Sequence, residues 1–301
     1  MWSERAARAA LGMRRRAFEQ TAKQQGGYLS QVCSTAELLA TLYTRVLRLD
    51  ESDAPLTPRP FPGHPPPRAT QPPAGATYPG PTAPHLDRLI IGYPPYTLAV
   101  YSALTQLTRL DGKALDAYRA DGGSLELWAG PHSPGFTFTA GPLGATLGLA
   151  AGVAMGRKLR GENGRVWALL DAHELRAGRA WEALGVLRAR PLGNLAVLIN
   201  APYEEGGSPH VDAFVRACAP WRVDEIDGHD PEALDRASQR YDAEGPLLIR
   251  ANTHPCQGML YLSLAGLPLD FVRFKSTRDR MNFEASLRAE LYRPGLAGDN
   301  R

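Results

Sequence analysis

The chain has 301 residues, 44% hydrophobic and 22% charged, with a formal net charge of +3; that length can bury a large core and suits one large α/β domain or two small ones. The near-neutral balance, with scattered arginines and four lysines, excludes a nucleic-acid footprint. No apolar run approaches the roughly 20 residues of a membrane-spanning helix, so neither nucleic acid nor membrane is an expected partner.

In chain order, residues 2–24 read as a helix; Glu4 and Glu19 within its arginine-rich start argue against a transit peptide. Residues 34–49 read as a second amphipathic helix, with Ser34 as its cap and Glu37 closing a capping box. Residues 51–86 carry twelve prolines and are expected to form a surface insertion in a single domain spanning 1–301. A strand is expected at 86–93 and helices at 96–107 and 111–122. The small-residue run 146–161 reads as a helix that can sit tightly on a sheet. "RVWALLD" (165–171) and "NLAVLINA" (194–201) are continuous apolar runs of the kind that form central parallel strands. A helix at 209–218, a strand at 221–228, a helix at 230–240 and a strand at 245–253 complete the pattern.

Alternating strands and helices imply an α/β fold, a doubly wound parallel sheet with helices on both faces. Ligands in such sheets bind at the carboxyl ends of the strands. Those ends are Gly92-Tyr93, Asp171-Ala172-His173, Asn200-Ala201-Pro202 and Asn252-Thr253-His254. Cys33, Cys218 and Cys256 show neither a disulfide framework nor metal-ligand spacing, and a reducing cytoplasm is the expected location. His254 and Cys256 lie two residues apart on a proline-containing turn with no orienting group beside them, so they are not read as a nucleophile and its base. His229 in "IDGHD" reads either as a cap of the following helix or as a functional group. Gly141 and Gly144 suit tight packing at a helix start.

The succession "GGYLS", "STAELLATLY", "DRLIIGYPPYTLAVYSAL", "PGFTFTAGPLGATLGLAAGVAMGRKL", "ALLDAHELRAGRAWEAL", "NLAVLIN" and "IDGHD" resembles the N-terminal half of transketolases. The resemblance implies a two-carbon ketol transferase using thiamine diphosphate and Mg2+. It also implies a partner, a pyrimidine-binding subunit carrying the activating glutamate, in a homo- or hetero-oligomer. On this resemblance the cofactor cleft falls on Gly92, Tyr93, Gly141, Leu143, Gly144, Asp171, Ala172, His173, Glu174, Asn200 and Ala201.

Anchoring on Glu174, Gly178 and Trp181-Glu182-Ala183 places the family's two loop glycines on Asp171 and His173. Its metal-binding aspartate falls on Ala172 and its asparagine ligand on Ala201. Alanine offers magnesium no oxygen. Side chains at the glycine positions obstruct close backbone approach, and Asp171 sets negative charge beside a diphosphate. Family histidines are replaced at Gln25 to Tyr28, at Tyr93 and at Leu127-Trp128-Ala129, with His132 three residues on. No catalytic residue is therefore assigned. The expectation is an eroded site without cofactor or metal, in a structural or regulatory subunit. Two alternatives stay open. A one-residue slip would make Asp171 and Asn200 metal ligands, although such a shift turns a strand side chain to the other face. Or the cleft serves another ligand through Tyr93, Asp171, His173 and Asn200.

Overall fold

The computed structural model describes residues 1–51, 54–61, 74–240, 244–264 and 269–291. Among these, five strands form one parallel sheet in the order β1-β2-β3-β5-β4. They are β1 (Arg88–Ile90), β2 (Val166–Asp171), β3 (Leu195–Pro202), β4 (Val223–Asp227) and β5 (Leu247–Thr253). The apolar runs are central because both faces are covered: every residue of β2 is buried, as are the first seven of β3.

Side-chain alternation sorts these strands into two cores. Trp167, Leu169, Ala196, Leu198, Leu247 and Ile249 enter a core with helices α1 (Trp2–Lys23), α2 (Leu29–Thr41) and α3 (Thr97–Gln106). Val166, Ala168, Leu170, Val197, Ile199 and Leu248 enter a second core with α4 (Ala145–Leu159), α5 (Gly178–Ala189) and α6 (Pro209–Ala217). This is the doubly wound arrangement expected from the sequence. Helix α7 (Pro231–Ser238) follows β4, and α8 (Leu260–Leu264) and α9 (Thr277–Leu291) close the described chain. The sequence pattern did not announce α9, which buries Phe283 and Leu287 in the first core. Among the described residues no helix is long and apolar enough to cross a membrane.

Two local expectations are corrected. The second helix starts at Leu29, not Ser34, and runs into a wider turn at Leu42–Val46. Ser34 and Glu37 are interior residues: the Ser34 hydroxyl donates back to the Gln31 carbonyl (3.2 Å), and Glu37 is drawn across to Arg14. The segment 111–122 forms only a single turn, Ala114–Ala117. The Asp111 carboxylate accepts from the Lys113 N–H (2.8 Å), a local bond that competes with helix, and Arg119 takes φ 61°.

Of the proline-rich stretch, residues 52–53 and 62–73 lie outside the described residues. The described ends are anchored: Leu56 N–H donates to the Arg109 carbonyl (3.0 Å), Gly75 N–H donates to that of Pro131, and Tyr78 is buried. Gly75 is required there, because a Cβ would lie 2.0 Å from the Ser133 carbonyl oxygen. Gly75→Ala is expected to cost about 2 kcal/mol or more in denaturant unfolding. Gly185→Ala, at a helical site with nothing within 4 Å of the added carbon, should instead stabilise by roughly 0.5–1 kcal/mol. Similar effects at the two positions would contradict the anchored geometry.

Candidate functional site

The carboxyl ends of β2, β3 and β5 hold a buried polar network. In the parallel register Asp171 stands opposite Asn200 with no bulge between Val166 and Asp171. By the alternation above, both lie on the face of α2 and α3, while Ala172 and Ala201 belong to the opposite core. The Tyr96 hydroxyl donates to Asp171 Oδ2 at 2.5 Å. Asn200 Nδ2 donates to the Tyr96 hydroxyl (2.8 Å) and to Ser34 Oγ (3.1 Å), and Asn200 Oδ1 accepts from Thr253 Oγ1 (2.6 Å). Burial and the neighbouring Asp171 charge push the Tyr96 phenol well above its ordinary pKa, so it serves as a donor.

The other oxygen of Asp171 organises the turn. Its Oδ1 accepts from the His173 backbone N–H (2.9 Å) and lies 2.8 Å from His173 Nδ1. The hydrogen bond that His173 donates to Asp171, more than the opposing burial, raises the pKa of His173. The Tyr93 ring lies parallel to the His173 ring at 6.3 Å and edge-on to Tyr96 at 5.2 Å. His173 and Asp171 line a cleft of about 390 Å³ together with Ser30, Gln31, Arg176 and Asp270. Arg176 bonds Glu204 at the rim (3.4 Å).

Glu174 closes the back of the turn. Its carboxylate accepts from Thr146 Oγ1 (2.6 Å) and from the Asp171 N–H (3.2 Å), and it is 1% exposed. Burial raises its pKa to about 7. Thr146 Oγ1 in turn accepts from the Gly92 N–H (3.1 Å), and a Cβ on Gly92 would fall 2.7 Å from that oxygen. Gly141 N–H donates to the Gly92 carbonyl (3.1 Å). Gly144, at φ 79°, presses against Ala177, 2.7 Å from where its Cβ would stand. Leu143 is 42% exposed and takes no part in the network.

The structure thus joins Tyr93, Asp171, His173 and Asn200 directly, and Gly92, Gly141, Gly144 and Glu174 as the wall behind them. It leaves Leu143 outside. Sequence reasoning passed over Tyr96, Ser30, Gln31, Ser34, Thr146 and Arg176 as site residues. The tyrosine in "GYPPY" was the one visible signal, since a polar tip in an otherwise apolar helix start needs a partner.

The histidines singled out elsewhere serve other contacts. His229 does not cap α7; Asp230 does, accepting from the Glu232 N–H (2.9 Å). His229 Nε2 accepts from the His254 N–H (2.8 Å), so its Nδ1–H donates to Glu37 (2.9 Å). Burial alone would raise Glu37, but the Arg14 charge and bonds from His229 and Arg14 bring it to about 2. His254 Nδ1 accepts from the Cys256 backbone N–H (3.2 Å), and burial pushes the Cys256 thiol up to about 11, as suits an inert cysteine.

Fold and site together define a doubly wound α/β protein with its polar residues gathered at the carboxyl edge of the sheet. Its relatives are transketolase-family members, and the match to part of their length is consistent with an N-terminal half. The chain is 28% identical over 188 residues to the transketolase family protein y4mO of Sinorhizobium fredii, covering 58% of this chain and 67% of that one. It is 25% identical over 229 residues to human transketolase-like protein 2, covering 72% of this chain and 32% of that one. Two solved folds agree: a transketolase mutant of Pichia stipitis (TM-score 0.67, 17% identity, 96% of this chain and 44% of that) and the Campylobacter jejuni transketolase (0.65, 16%, 98% and 49%). No family model matches the chain.

The raised Glu174 gives a pH test. Between the ordinary carboxyl value of 4.5 and about 7, the folded carboxyl keeps a proton that the unfolded one has released. Stability therefore falls as pH rises through that window, by up to about 3 kcal/mol. Glu174→Gln, which mimics the protonated acid, should remove this decline. Parallel stability–pH curves for the two proteins, measured by urea unfolding, would refute the assignment.

Proposed function

We propose that the chain is a transketolase-like N-terminal subunit whose cofactor cleft is closed by its own side chains. It would act as a structural or regulatory partner of a pyrimidine-domain chain rather than as a ketol transferase on its own. One observation carries this reading. The side chains at the family's metal-ligand positions, Ala172 and Ala201, have no donor atom and sit in an apolar core. The polar residues beside them, Asp171 and Asn200, spend their atoms on Tyr96, His173, Ser34 and Thr253. Their flush register on the α2 and α3 face gives no support to the one-residue slip. The residues present do not fit thiamine diphosphate with magnesium, because the loop that must approach the diphosphate carries Asp171 and His173.

Assembly with another subunit is supported by α4. Gly148, Gly152 and Gly156 recur every fourth residue, and Gly148 and Gly152 are exposed. On the adjoining α5, Trp181 and Val186 are 37% and 51% exposed. Small residues on an outward face allow close approach of a second helix. The three cysteines are free and buried, which accords with a reducing compartment such as the cytoplasm.

Calorimetric titration with thiamine diphosphate and magnesium tests the main reading. The chain alone is expected to show no saturable, magnesium-dependent heat. A dissociation constant in the low micromolar range would overturn the closed-site proposal and promote Asp171 and Asn200 as ligands. Repeating the titration with a pyrimidine-domain chain present separates a subunit that completes a site from one that only supports it. For assembly, Gly152→Arg is expected to lower the oligomeric fraction in light scattering while leaving the helical content unchanged. A wild-type chain that stays monomeric with and without a pyrimidine-domain chain would defeat the assembly proposal.

A further inference from the structure

The cleft beside His173 keeps polar atoms that the protein itself does not satisfy. Asp171 holds the imidazole through Nδ1, so Nε2 is without a partner among the described residues, and the side chain is 33% exposed. The Ser30 hydroxyl and Gln31 Oε1 are buried with no hydrogen-bond partner among the described residues, and both residues line the same cleft. Buried groups of this kind are ordinarily completed by water or a ligand.

The charges select among ligands. Four carboxylates line the cleft, those of Asp171, Glu204, Glu205 and Asp270, against the Arg176 cation and the His173 imidazole. Asp171 is bonded to His173 and Glu204 to Arg176. Glu205 and Asp270 have no ionic partner among the described residues, which leaves the mouth negative. An anion is therefore repelled. The Tyr203 ring, 67% exposed at the same mouth, offers a face to a cation.

We propose that this cleft binds a small hydroxylated amine. The ammonium group sits against Asp270 and Glu205 at the mouth, and hydroxyls complete His173 Nε2, Ser30 and Gln31 inside. The Asp171–His173 bond fixes the ring so that Nε2 faces the ligand, and by raising the imidazole's pKa it favours the form that donates through that nitrogen. Asp171 acts here as a positioning residue. The inference rests on the closed-cofactor reading, since Asp171 and His173 belong to the same cleft; titration without thiamine diphosphate and titration with it and magnesium fail separately.

Three probes of one ring skeleton and different charge test it: D-glucosamine, D-glucose and D-glucuronate, titrated into the full chain near neutral pH with no thiamine diphosphate present. Glucosamine is expected to bind saturably, about tenfold tighter than glucose, with glucuronate weaker still. It should also shift the His173 side-chain resonances in the NMR spectrum. His173→Ala and Asp270→Asn, both at solvent-accessible positions, should each weaken glucosamine binding about five- to tenfold. The proposal fails if glucose or glucuronate binds as tightly as glucosamine. It fails equally if glucosamine does not saturate, or if neither substitution changes its affinity.

Discussion

A carboxylate buried at the end of a central strand must be answered by hydrogen bonds, and much of this molecule is arranged around that demand. Asp171 is 3% exposed. Leaving such a group unpaired would cost several kcal/mol. Tyr96, at the entry to α3, answers one oxygen, and the turn at His173 answers the other. The same phenol accepts from Asn200, whose remaining atoms reach Ser34 on α2 and Thr253 on β5. Two helices and three strands therefore meet in one polar knot inside an apolar layer. The strand register cannot slip without exposing several unpaired groups at once.

A second buried charge fastens the same edge of the sheet a short way along. Arg14 of α1 is 4% exposed and makes a two-pronged bond to Glu37 of α2, while also donating to the Cys33 carbonyl (3.0 Å). His229, in the loop between β4 and α7, completes Glu37 and receives the backbone N–H that follows β5. Bidentate pairing of this geometry fixes direction as well as distance. It sets α1 and α2 against each other, and through His229 it sets them against the outer strands.

These two networks explain what was readable in the residues and what was not. The strands β2, β3 and β5 were legible because a strand covered on both faces must be apolar throughout, and "WALL" and "AVLI" are short β-length runs of that kind. The strand ends, and so Asp171, His173 and Asn200, followed from the topology. Thr253 also stood at a strand end, but its pairing with Asn200 was not readable, and Tyr96 and Ser34 were not found as site residues at all. Tyr96, Ser34 and Thr253 lie 75, 166 and 53 residues from the atoms they bind, and nothing local marks those bonds. Ser34 even carried a misleading local signal, since Ser-x-x-Glu looks like a cap wherever it occurs. The helix simply started five residues earlier and sent both side chains sideways. The segment 111–122 failed for the opposite reason. It was expected to be a helix, but an aspartate that bonds its own turn limits it to a single turn, although Ala114, Leu115 and Tyr118 still reach the first core.

The tetrapeptide Asp171-Ala172-His173-Glu174 is then intelligible as a self-contained turn. Asp171 caps the single turn Ala172–Arg176 by accepting from the His173 N–H, and Glu174 reaches back to the Asp171 N–H. This reciprocal arrangement satisfies the donors that a helix start otherwise turns toward an anion. Ala172 is the small residue between them because its side chain enters the core shared with α4 to α6. His173 is the most exposed member and faces the cleft, which Asp171 also lines. Its ring is held from behind by Asp171 and flanked by Tyr93. A loop that meets its own hydrogen-bonding needs places no demand on a bound phosphate for stability, and the chemistry of the cleft passes to the single imidazole that the loop presents.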